Sequence, residues 1–248
     1  MALDPDLIAL RPLGGFFALR TVPEGARPPG QPLTEVYGAG GPGVQRDAQD
    51  APDALDTRLA LVGDRLRVTE PRVRASIAQQ GLAARLWSPA LACAALYGEV
   101  PDLGPLHWDA TASAPDDLWL TAVRPLPGDA LADTVLSTHL APLGDTLRAR
   151  CGIASGLLWG NAASALAGAA RQLDHWARAN GRRDVAERTA ALTDALFARP
   201  PLHGTGVRAG TAFRRRSCCL YYRVPGGGVC GDCCFTRAPG SSPRAASG

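Results

Sequence analysis

Cysteine spacing in the last fifth of the chain constrains its fold and chemistry more than any other feature of the sequence. The stretch RRRSCCLYYRVPGGGVCGDCCF, Arg214 to Phe235, places Cys218 next to Cys219, and after ten residues continues as Cys230-x-x-Cys233. Clustered cysteines of this kind in a chain without a secretory signal are more often metal-binding or redox-active than disulfide-bonded.

The residues between these cysteines suit a compact metal-binding loop. A C-x-x-C turn can hold two thiolates on one metal ion or one edge of a cluster, and the spacer Gly231-Asp232 is small enough for such a turn. Pro225-Gly226-Gly227-Gly228 provides the sharp reversal that would bring the adjacent cysteines back to face that turn.

The net charge and the N-terminal residues indicate what kind of partner the chain has and in which cellular compartment it lies. The formal net charge is only +3, and the basic residues are all arginine, so no nucleic-acid partner is indicated. MALDPDLIALRPLGG begins with acidic residues and lacks the basic and long apolar regions of a secretory signal. We therefore expect reduced thiols and a cytoplasmic location, at or near the inner face of the membrane.

Two kinds of metal centre, a zinc ion and a [2Fe-2S] cluster, are compatible with four cysteines. Four cysteines are a common structural zinc set, but zinc ribbons usually offer two C-x-x-C turns, and here adjacent cysteines replace one of them. Neighbouring residues of an extended chain point to opposite faces, so Cys218 and Cys219 can both be ligands only if the backbone bends or the metal unit is wide. A two-iron cluster is wider than one zinc ion, which favours [2Fe-2S] over zinc.

The rest of the chain predicts a mainly α (α+β) fold, with a helical core, a small antiparallel β element and a C-terminal cysteine-rich loop region. We expect a disordered tail because RAPGSSPRAASG has that composition. The predicted regions are an N-terminal region of short strands and Pro/Gly-rich loops at 1–68, a helical domain at 69–206, a [2Fe-2S]-binding motif at 207–236 and the tail at 237–248.

Helix and strand signals divide the helical domain. Thr69 is the expected N-cap of a helix with Glu70 and Pro71 at its first positions, and Ser88-Pro89 is expected to end that helix and begin a second one, closed by Gly98. Stretches around Trp108 and Trp119 look like an antiparallel pair of strands. Further helices are expected at about 128–150, at 151–180 and over GRRDVAERTAALTDALFAR, with LHGTGVRAGT as a loop leading to the cysteines.

One uncharged segment, CGIASGLLWGNAASALAGAA from Cys151 to Ala170, is about as long as a bilayer span. Small residues recur in it every four positions, as in helices that approach each other closely. Most of its residues are only moderately apolar and Asn161 is central, so we interpret it as a buried helix of a folded core and expect no stable membrane span.

Other candidate groups carry weaker signals. Cys234 could compete with Cys233 as a ligand, although the spacing fits Cys233, and Cys93 and Cys151 lie in apolar helical stretches typical of buried cysteine. The four histidines show no ligand spacing. GAGGPG at 38–43 matches a dinucleotide-binding pattern formally, but Pro42 interrupts it and Pro52 is expected to prevent a helix after it.

The cysteine array resembles the C-terminal signature of FhuF-like siderophore-iron reductases, a family of (2Fe-2S)-binding proteins. The resemblance extends through GLAARLWSPALACAALYGEVPDL and LLWGNAASALAGAARQL, so that it covers roughly residues 69–235. It implies that one [2Fe-2S] cluster is bound by Cys218, Cys219, Cys230 and Cys233, and that the chain is a ferric-siderophore oxidoreductase.

The resemblance also implies partners. These are a ferric siderophore, with the hydroxamate type favoured, and an electron donor such as a ferredoxin or flavoprotein. Arg214, Arg215 and Arg216 are candidates for docking either one, with solvated charge as the alternative. Two other functions stay open, an accessory iron-sulfur or zinc protein without its own substrate and a siderophore-biosynthesis factor.

Overall fold

A computed structural model of the protein describes residues 3–4, 7–38 and 53–239. Most of this part of the chain is helical, as the mainly α (α+β) prediction requires. The helices are α1 (Leu33–Gly38), α2 (Ala54–Leu66), α3 (Pro71–Tyr97), α4 (Ala141–Cys151), α5 (Ser155–Ala179) and α6 (Arg183–Phe197). A 3₁₀ turn at Ile8–Leu13 precedes α1, and a π-helical segment at Asp133–Leu140 leads directly into α4.

Short strands form three small sheets. The strands are β1 (Arg20–Thr21), β2 (Gln31–Pro32), β3 (Glu99–Pro101), β4 (Leu106–Trp108), β5 (Leu118–Leu120), β6 (Pro125–Pro127), β7 (Gly206–Ala209) and β8 (Ala212–Arg215). One sheet has the order β1-β5-β4-β2, and β3-β6 and β7-β8 are antiparallel pairs. The expected antiparallel pair is present, with His107 opposite Trp119 in β4 and β5.

Helices α3 and α5 form the centre of the molecule and pack along each other. The buried face of α5 is rich in small residues, including Gly160, Ala163 and Ser164, which allows close approach of neighbouring elements. The uncharged segment from Cys151 to Ala170 therefore contributes a core helix, as interpreted, but that helix begins at Ser155, because Cys151 ends α4 and Gly152 closes it with a positive φ of 61°. Among the described residues, no helix combines the length and the apolar character that a bilayer span requires.

Helix α3 differs from the sequence prediction because it is one continuous helix that includes Pro89. Pro89 removes one backbone hydrogen bond, but α3 is buried on nearly every side from Leu86 to Ala95, and that packing outweighs the local preference for a helix end. Its ends are close to those expected: Glu70 rather than Thr69 is the N-cap, and Gly98 closes the helix with a positive φ of 75°.

The N-terminal region contributes to the same core as the helical domain. Leu10, Phe17 and Leu33 are fully buried in a cluster that also contains Trp87 and Leu166. Helix α2 was not predicted. The side chain of Asp53 caps it by accepting a hydrogen bond from the Asp56 N–H (2.8 Å), so the chain forms a helix directly after Pro52 rather than avoiding one.

Candidate metal centre

The hairpin of β7 and β8 delivers the first two cysteines of the array. The sequence predicts a loop over LHGTGVRAGT, but in the structure Val207 pairs with Arg214 and Gly206 with Arg215. The hairpin is fixed at its base by a hydrogen bond from the Arg216 N–H to the Thr205 carbonyl (2.8 Å). Only two residues, Arg216 and Ser217, separate the end of β8 from Cys218 and Cys219, so the position of these cysteines is set by a sheet rather than by a free loop.

A tight reversal then returns the chain. Leu220 has a left-handed backbone (φ 66°) and begins a 3₁₀ turn at Tyr221–Arg223. A side chain at Gly227 would overlap the Tyr221 carbonyl oxygen, so the reversal requires glycine there. The Pro/Gly-rich spacer acts as the sequence analysis expected.

The reversal is anchored on the first turns of α3. Val224 is buried against Val68 and Val73 in a small apolar cluster separate from the main core. Arg223 donates to the Glu70 carboxylate (2.7 Å), next to the start of the helix. These contacts hold the loop that connects Cys218-Cys219 to the Cys230-x-x-Cys233 turn.

Cys230 and Cys233 lie on a tight turn in which the Cys233 N–H donates to the Cys230 carbonyl (3.0 Å). Asp232, inside this turn, accepts a hydrogen bond from the Ser164 hydroxyl (2.6 Å) and lies 3.7 Å from the Arg171 guanidinium. Its carbonyl accepts from the Arg215 N–H (3.0 Å). Helix α5 and strand β8 therefore fix the C-x-x-C turn from two sides.

The cysteine sulfurs form two close groups. Cys219 Sγ lies 3.5 Å from Cys230 Sγ. The sulfurs of Cys218, Cys233 and Cys234 all lie within 4.8 Å of one another. The adjacent Cys218 and Cys219 thus point to different partners, as neighbouring residues of an extended chain do.

This division fits a two-iron cluster better than one zinc ion. Four thiolates at about 2.3 Å from a single zinc lie within roughly 4 Å of each other. Over the described part of the chain, no third Cys, His, Asp or Glu ligand atom joins Cys219 and Cys230 within 4.8 Å. Two pairs of soft thiolates, one pair for each iron, are the donor set that a [2Fe-2S] unit requires.

Hydrogen bonds and burial adjust the thiols of this centre. The hydrogen bond between Cys219 and Cys230 lowers the pKa of Cys219 to about 7 and raises that of Cys230, which favours at Cys219 the thiolate form that a metal ligand needs. Burial raises the pKa of Cys218, while the Leu220 N–H donates to its sulfur (3.2 Å) and opposes that rise. The Phe235 N–H approaches Cys233 Sγ at 3.4 Å.

Residues of helix α5 pack against the segment that carries the cysteines. The sequence analysis did not predict these contacts. Gly160 lies against Ser217, and Asn161 accepts a hydrogen bond from the Arg215 guanidinium. Asn161 also donates to the Ser76 hydroxyl (3.0 Å), which in turn donates to the Cys219 carbonyl (2.7 Å). The four-residue spacing of Gly160 and Ser164 was the available signal, but it indicated only close packing.

The three consecutive arginines do not share one surface. They follow the alternation of a strand, so that Arg214 and Arg216 are exposed and Arg215 is only 2% exposed. The Arg214 guanidinium donates to the Cys234 carbonyl (3.1 Å). Arg215 therefore cannot belong to an exposed docking surface.

The remaining candidates lie away from the centre or outside the described residues. Cys93 is fully buried in α3, and burial raises its pKa, while Cys151 is half-buried at the end of α4. No histidine of the described ranges belongs to a group with metal-ligand geometry. Of the GAGGPG pattern at 38–43, Gly38 ends α1, and residues 39–43 lie outside the described residues, as does the tail from residue 240 onward.

Comparisons with known protein families agree with this geometry. Residues 79–205 match the family model described as ferric iron reductase FhuF-like transporter. Residues 215–235, which include all five clustered cysteines, match the FhuF 2Fe-2S C-terminal domain. No curated protein matches the chain.

Proposed function

The chain belongs to the FhuF-like ferric iron reductase family and carries a [2Fe-2S] cluster, and from that premise we propose that it reduces siderophore-bound Fe(III) and releases Fe(II) in the cytoplasm. The observation that carries this proposal is the pair of cysteine groups held beside an open cavity on α5. A [2Fe-2S] cluster supplies a carrier that passes one electron at a time, which is what the reduction of Fe(III) to Fe(II) consumes.

The proposed ligands are Cys218, Cys219, Cys230 and Cys233. Cys219 with Cys230 would hold one iron, because their sulfurs lie 3.5 Å apart. Cys218 with Cys233 would hold the other, and the Phe235 N–H directed at Cys233 Sγ favours Cys233 over Cys234. No acid, base or nucleophile is required, because hard siderophore oxygens bind Fe(II) much more weakly than Fe(III).

A cavity of about 560 Å³ adjoins the C-x-x-C turn and is the proposed docking site of the ferric siderophore. Asp232 forms part of its wall, beside Arg171, His175 and the half-exposed ring of Phe16. A second cavity, of about 360 Å³, lies between α5, α6 and the β7-β8 hairpin and includes none of the cysteine loops. Only the first cavity brings a bound chelate beside proposed cluster ligands.

The charges of this cavity favour a ferric trihydroxamate. Arg171 and Asp232 are of opposite sign and 3.7 Å apart, so the wall has little net charge. A ferric trihydroxamate is neutral, whereas a ferric tris-catecholate stays strongly anionic and would lose hydration without gaining a counter-charge. The exposed Arg214 and Arg216 lie on the hairpin instead, where they suit an acidic electron donor such as a ferredoxin or flavoprotein.

The proposal is tested by mixing chemically reduced protein with a ferric trihydroxamate. We expect the oxidised absorption spectrum to return and about one equivalent of trapped Fe(II) per cluster, because the cluster gives up one electron. A ferric tris-catecholate should react more slowly at equal driving force. Failure to reoxidise with any ferric siderophore would leave an accessory iron-sulfur protein or a biosynthesis factor, and stoichiometric zinc would exclude the cluster.

Docking is tested separately from electron transfer. Gly168→Leu places a bulky side chain in the proposed docking cavity, and Ala190→Leu places the same side chain in the second cavity. We expect only Gly168→Leu to slow reoxidation by the chelate, with reoxidation by a small outer-sphere oxidant unchanged. Equal rates for both variants would place the chelate elsewhere.

A further inference from the structure

Arg215 is a buried cation without an anionic partner. Its side chain is 2% exposed, and across the described residues no carboxylate forms an ion pair with it. The guanidinium donates to the amide oxygen of Asn161 and at 3.5 Å to that of Gln80, and its Nε atom has no hydrogen-bond acceptor. Neutral amides orient the group but do not balance its charge.

Arg85, which is also fully buried, has the carboxylate partner that Arg215 lacks. Arg85 is equally buried, but its Nε donates to the Asp117 carboxylate (2.9 Å), and its remaining donors meet backbone carbonyls such as that of Gly15 (3.1 Å). A buried charge without such compensation is strongly unfavourable in a folded protein. No carboxylate of the described residues supplies such compensation for Arg215, which leaves the neighbouring cysteines and the group that they bind as its source.

The cysteine centre is where such an anion would lie. Arg215 is three residues before Cys218, its own N–H bonds the Asp232 carbonyl inside the C-x-x-C turn, and Asn161 links its guanidinium through Ser76 to the carbonyl of Cys219.

We propose that Arg215 is the fixed internal counter-charge of the [2Fe-2S] cluster and that it raises the reduction potential of the cluster. A [2Fe-2S] unit with four thiolates is an anion, and the electron that it accepts on reduction adds a further negative charge. A cation held at a fixed distance in a poorly solvated site stabilises the reduced form more than the oxidised form. Salt screens this interaction weakly because the group is buried.

Asn161 is the positioning residue in this arrangement. Its amide oxygen holds the guanidinium while its amide nitrogen donates to the Ser76 carbonyl (2.9 Å) and hydroxyl. Asn161→Asp keeps the shape of the side chain but gives Arg215 a carboxylate partner. The proposal expects this change to lower the reduction potential, because the cation is then already neutralised.

The experiment is a redox titration of purified, cluster-containing protein, followed by visible absorption and electron paramagnetic resonance without any siderophore. It depends on the cluster but not on the proposed reductase function, so the two can fail independently. We expect Arg215→Gln to shift the midpoint potential to more negative values, also at high salt, and Arg215→Lys to restore most of the shift. Arg214→Gln and Arg216→Gln are matched controls on the exposed face, and any small shift that they cause should vanish at high salt.

Loss of the cluster in a variant also tests whether the positive charge of Arg215 is required. If Arg215→Gln cannot hold the cluster while Arg215→Lys holds it near the wild-type potential, the positive charge is required and the proposal stands. If Arg215→Gln and Asn161→Asp retain the wild-type potential, the proposal is overturned. It is also overturned if Arg215→Lys loses the cluster along with Arg215→Gln, since the shape of arginine rather than its charge would then matter.

Discussion

Gly160 of α5 lies directly against Ser217, so that a Cβ atom at position 160 would overlap the Ser217 hydroxyl. Ser217 immediately precedes Cys218, and its hydroxyl is buried without a hydrogen-bond partner. A backbone position on the central helix thus determines how closely the end of the hairpin, with its cysteines, can approach the core.

Replacing Gly160 by alanine should displace the segment that carries Cys218. We expect Gly160→Ala to lower cluster content per chain and to cost about 1–3 kcal/mol of unfolding free energy, as overpacking of a close contact usually does. Visible absorption per protein and denaturant unfolding measure the two effects.

Two further variants make this prediction specific. Ser217→Ala removes the overlapping oxygen, so the double variant Gly160→Ala/Ser217→Ala should regain the cluster. Gly156→Ala lies one turn earlier on the same helix, where an added Cβ meets no atom within 4 Å, and should leave the cluster intact and stabilise the helix by up to about 1 kcal/mol. Full cluster content in Gly160→Ala alone would contradict the packing argument.

The buried ion pair of Arg85 and Asp117 should be important for stability. Their side chains are 2% and 8% exposed and 2.9 Å apart, and the pair joins α3 to the segment before β5. We expect Asp117→Ala to lower the unfolding free energy by about 3–5 kcal/mol, because it leaves the guanidinium buried and unpaired. Asp116→Ala removes the exposed partner of Arg20 next to it and should cost less than about 1 kcal/mol. Similar losses for the two variants would refute the distinction.

His139 should make the fold sensitive to acid. Its ring is buried between the Leu103 carbonyl (3.0 Å) and the Tyr37 hydroxyl (3.3 Å), and burial lowers its pKa from 6.5 to about 4. Below pH 6.5 the unfolded chain binds a proton that the folded chain does not, so stability falls as the pH drops towards 4, by about 3 kcal/mol in total.

The contribution of His139 is isolated by comparison with His139→Gln, which does not titrate. The stability advantage of the wild type over the variant should be constant above pH 6.5 and shrink between pH 6.5 and 4. Denaturant unfolding at several pH values measures it. A difference that does not change with pH would show that His139 is not responsible.

Sequence patterns correctly predicted those elements whose structure depends on residues close together in the sequence. The helix closed by Gly98, the strand pair around Trp108 and Trp119 and the C-x-x-C turn all depend on neighbours in sequence, and all are present. The continuity of α3 through Pro89 was mispredicted because burial on several sides is a tertiary property that a local proline signal does not contain.

The surroundings of the candidate site were beyond sequence reasoning for a similar reason. Arg215 meets Asn161 across 54 residues, and Asp232 meets Ser164 across 68. Strands β7 and β8 are only four residues long, too short for alternation to be distinguished from loop, so the inward direction of Arg215 was hidden in a run of three arginines.

Cys233 and Cys234 are the two candidates for the fourth cysteine ligand of the cluster. Both sulfurs lie within 4.8 Å of Cys218 Sγ, so proximity alone does not separate them. The Phe235 N–H is directed at Cys233 Sγ, and Cys233 is the residue whose N–H closes the turn on Cys230, so Cys233 has the fixed orientation that a ligand needs. We expect single replacement of Cys218, Cys219, Cys230 or Cys233 by serine to abolish or strongly destabilise the cluster, since a harder oxygen donor suits it poorly.

Cys234→Ser is the matched control for Cys233→Ser, because it makes the same chemical change one residue further along. It should leave the visible spectrum and the iron content, about two per chain, unchanged, as should Cys93→Ser and Cys151→Ser at sites remote from the centre. Iron and acid-labile sulfide analysis with absorption spectra checks each variant. If Cys234→Ser bleaches the protein and Cys233→Ser does not, Cys234 is the fourth ligand, and the hydrogen bond from Phe235 does not mark an iron-bound sulfur.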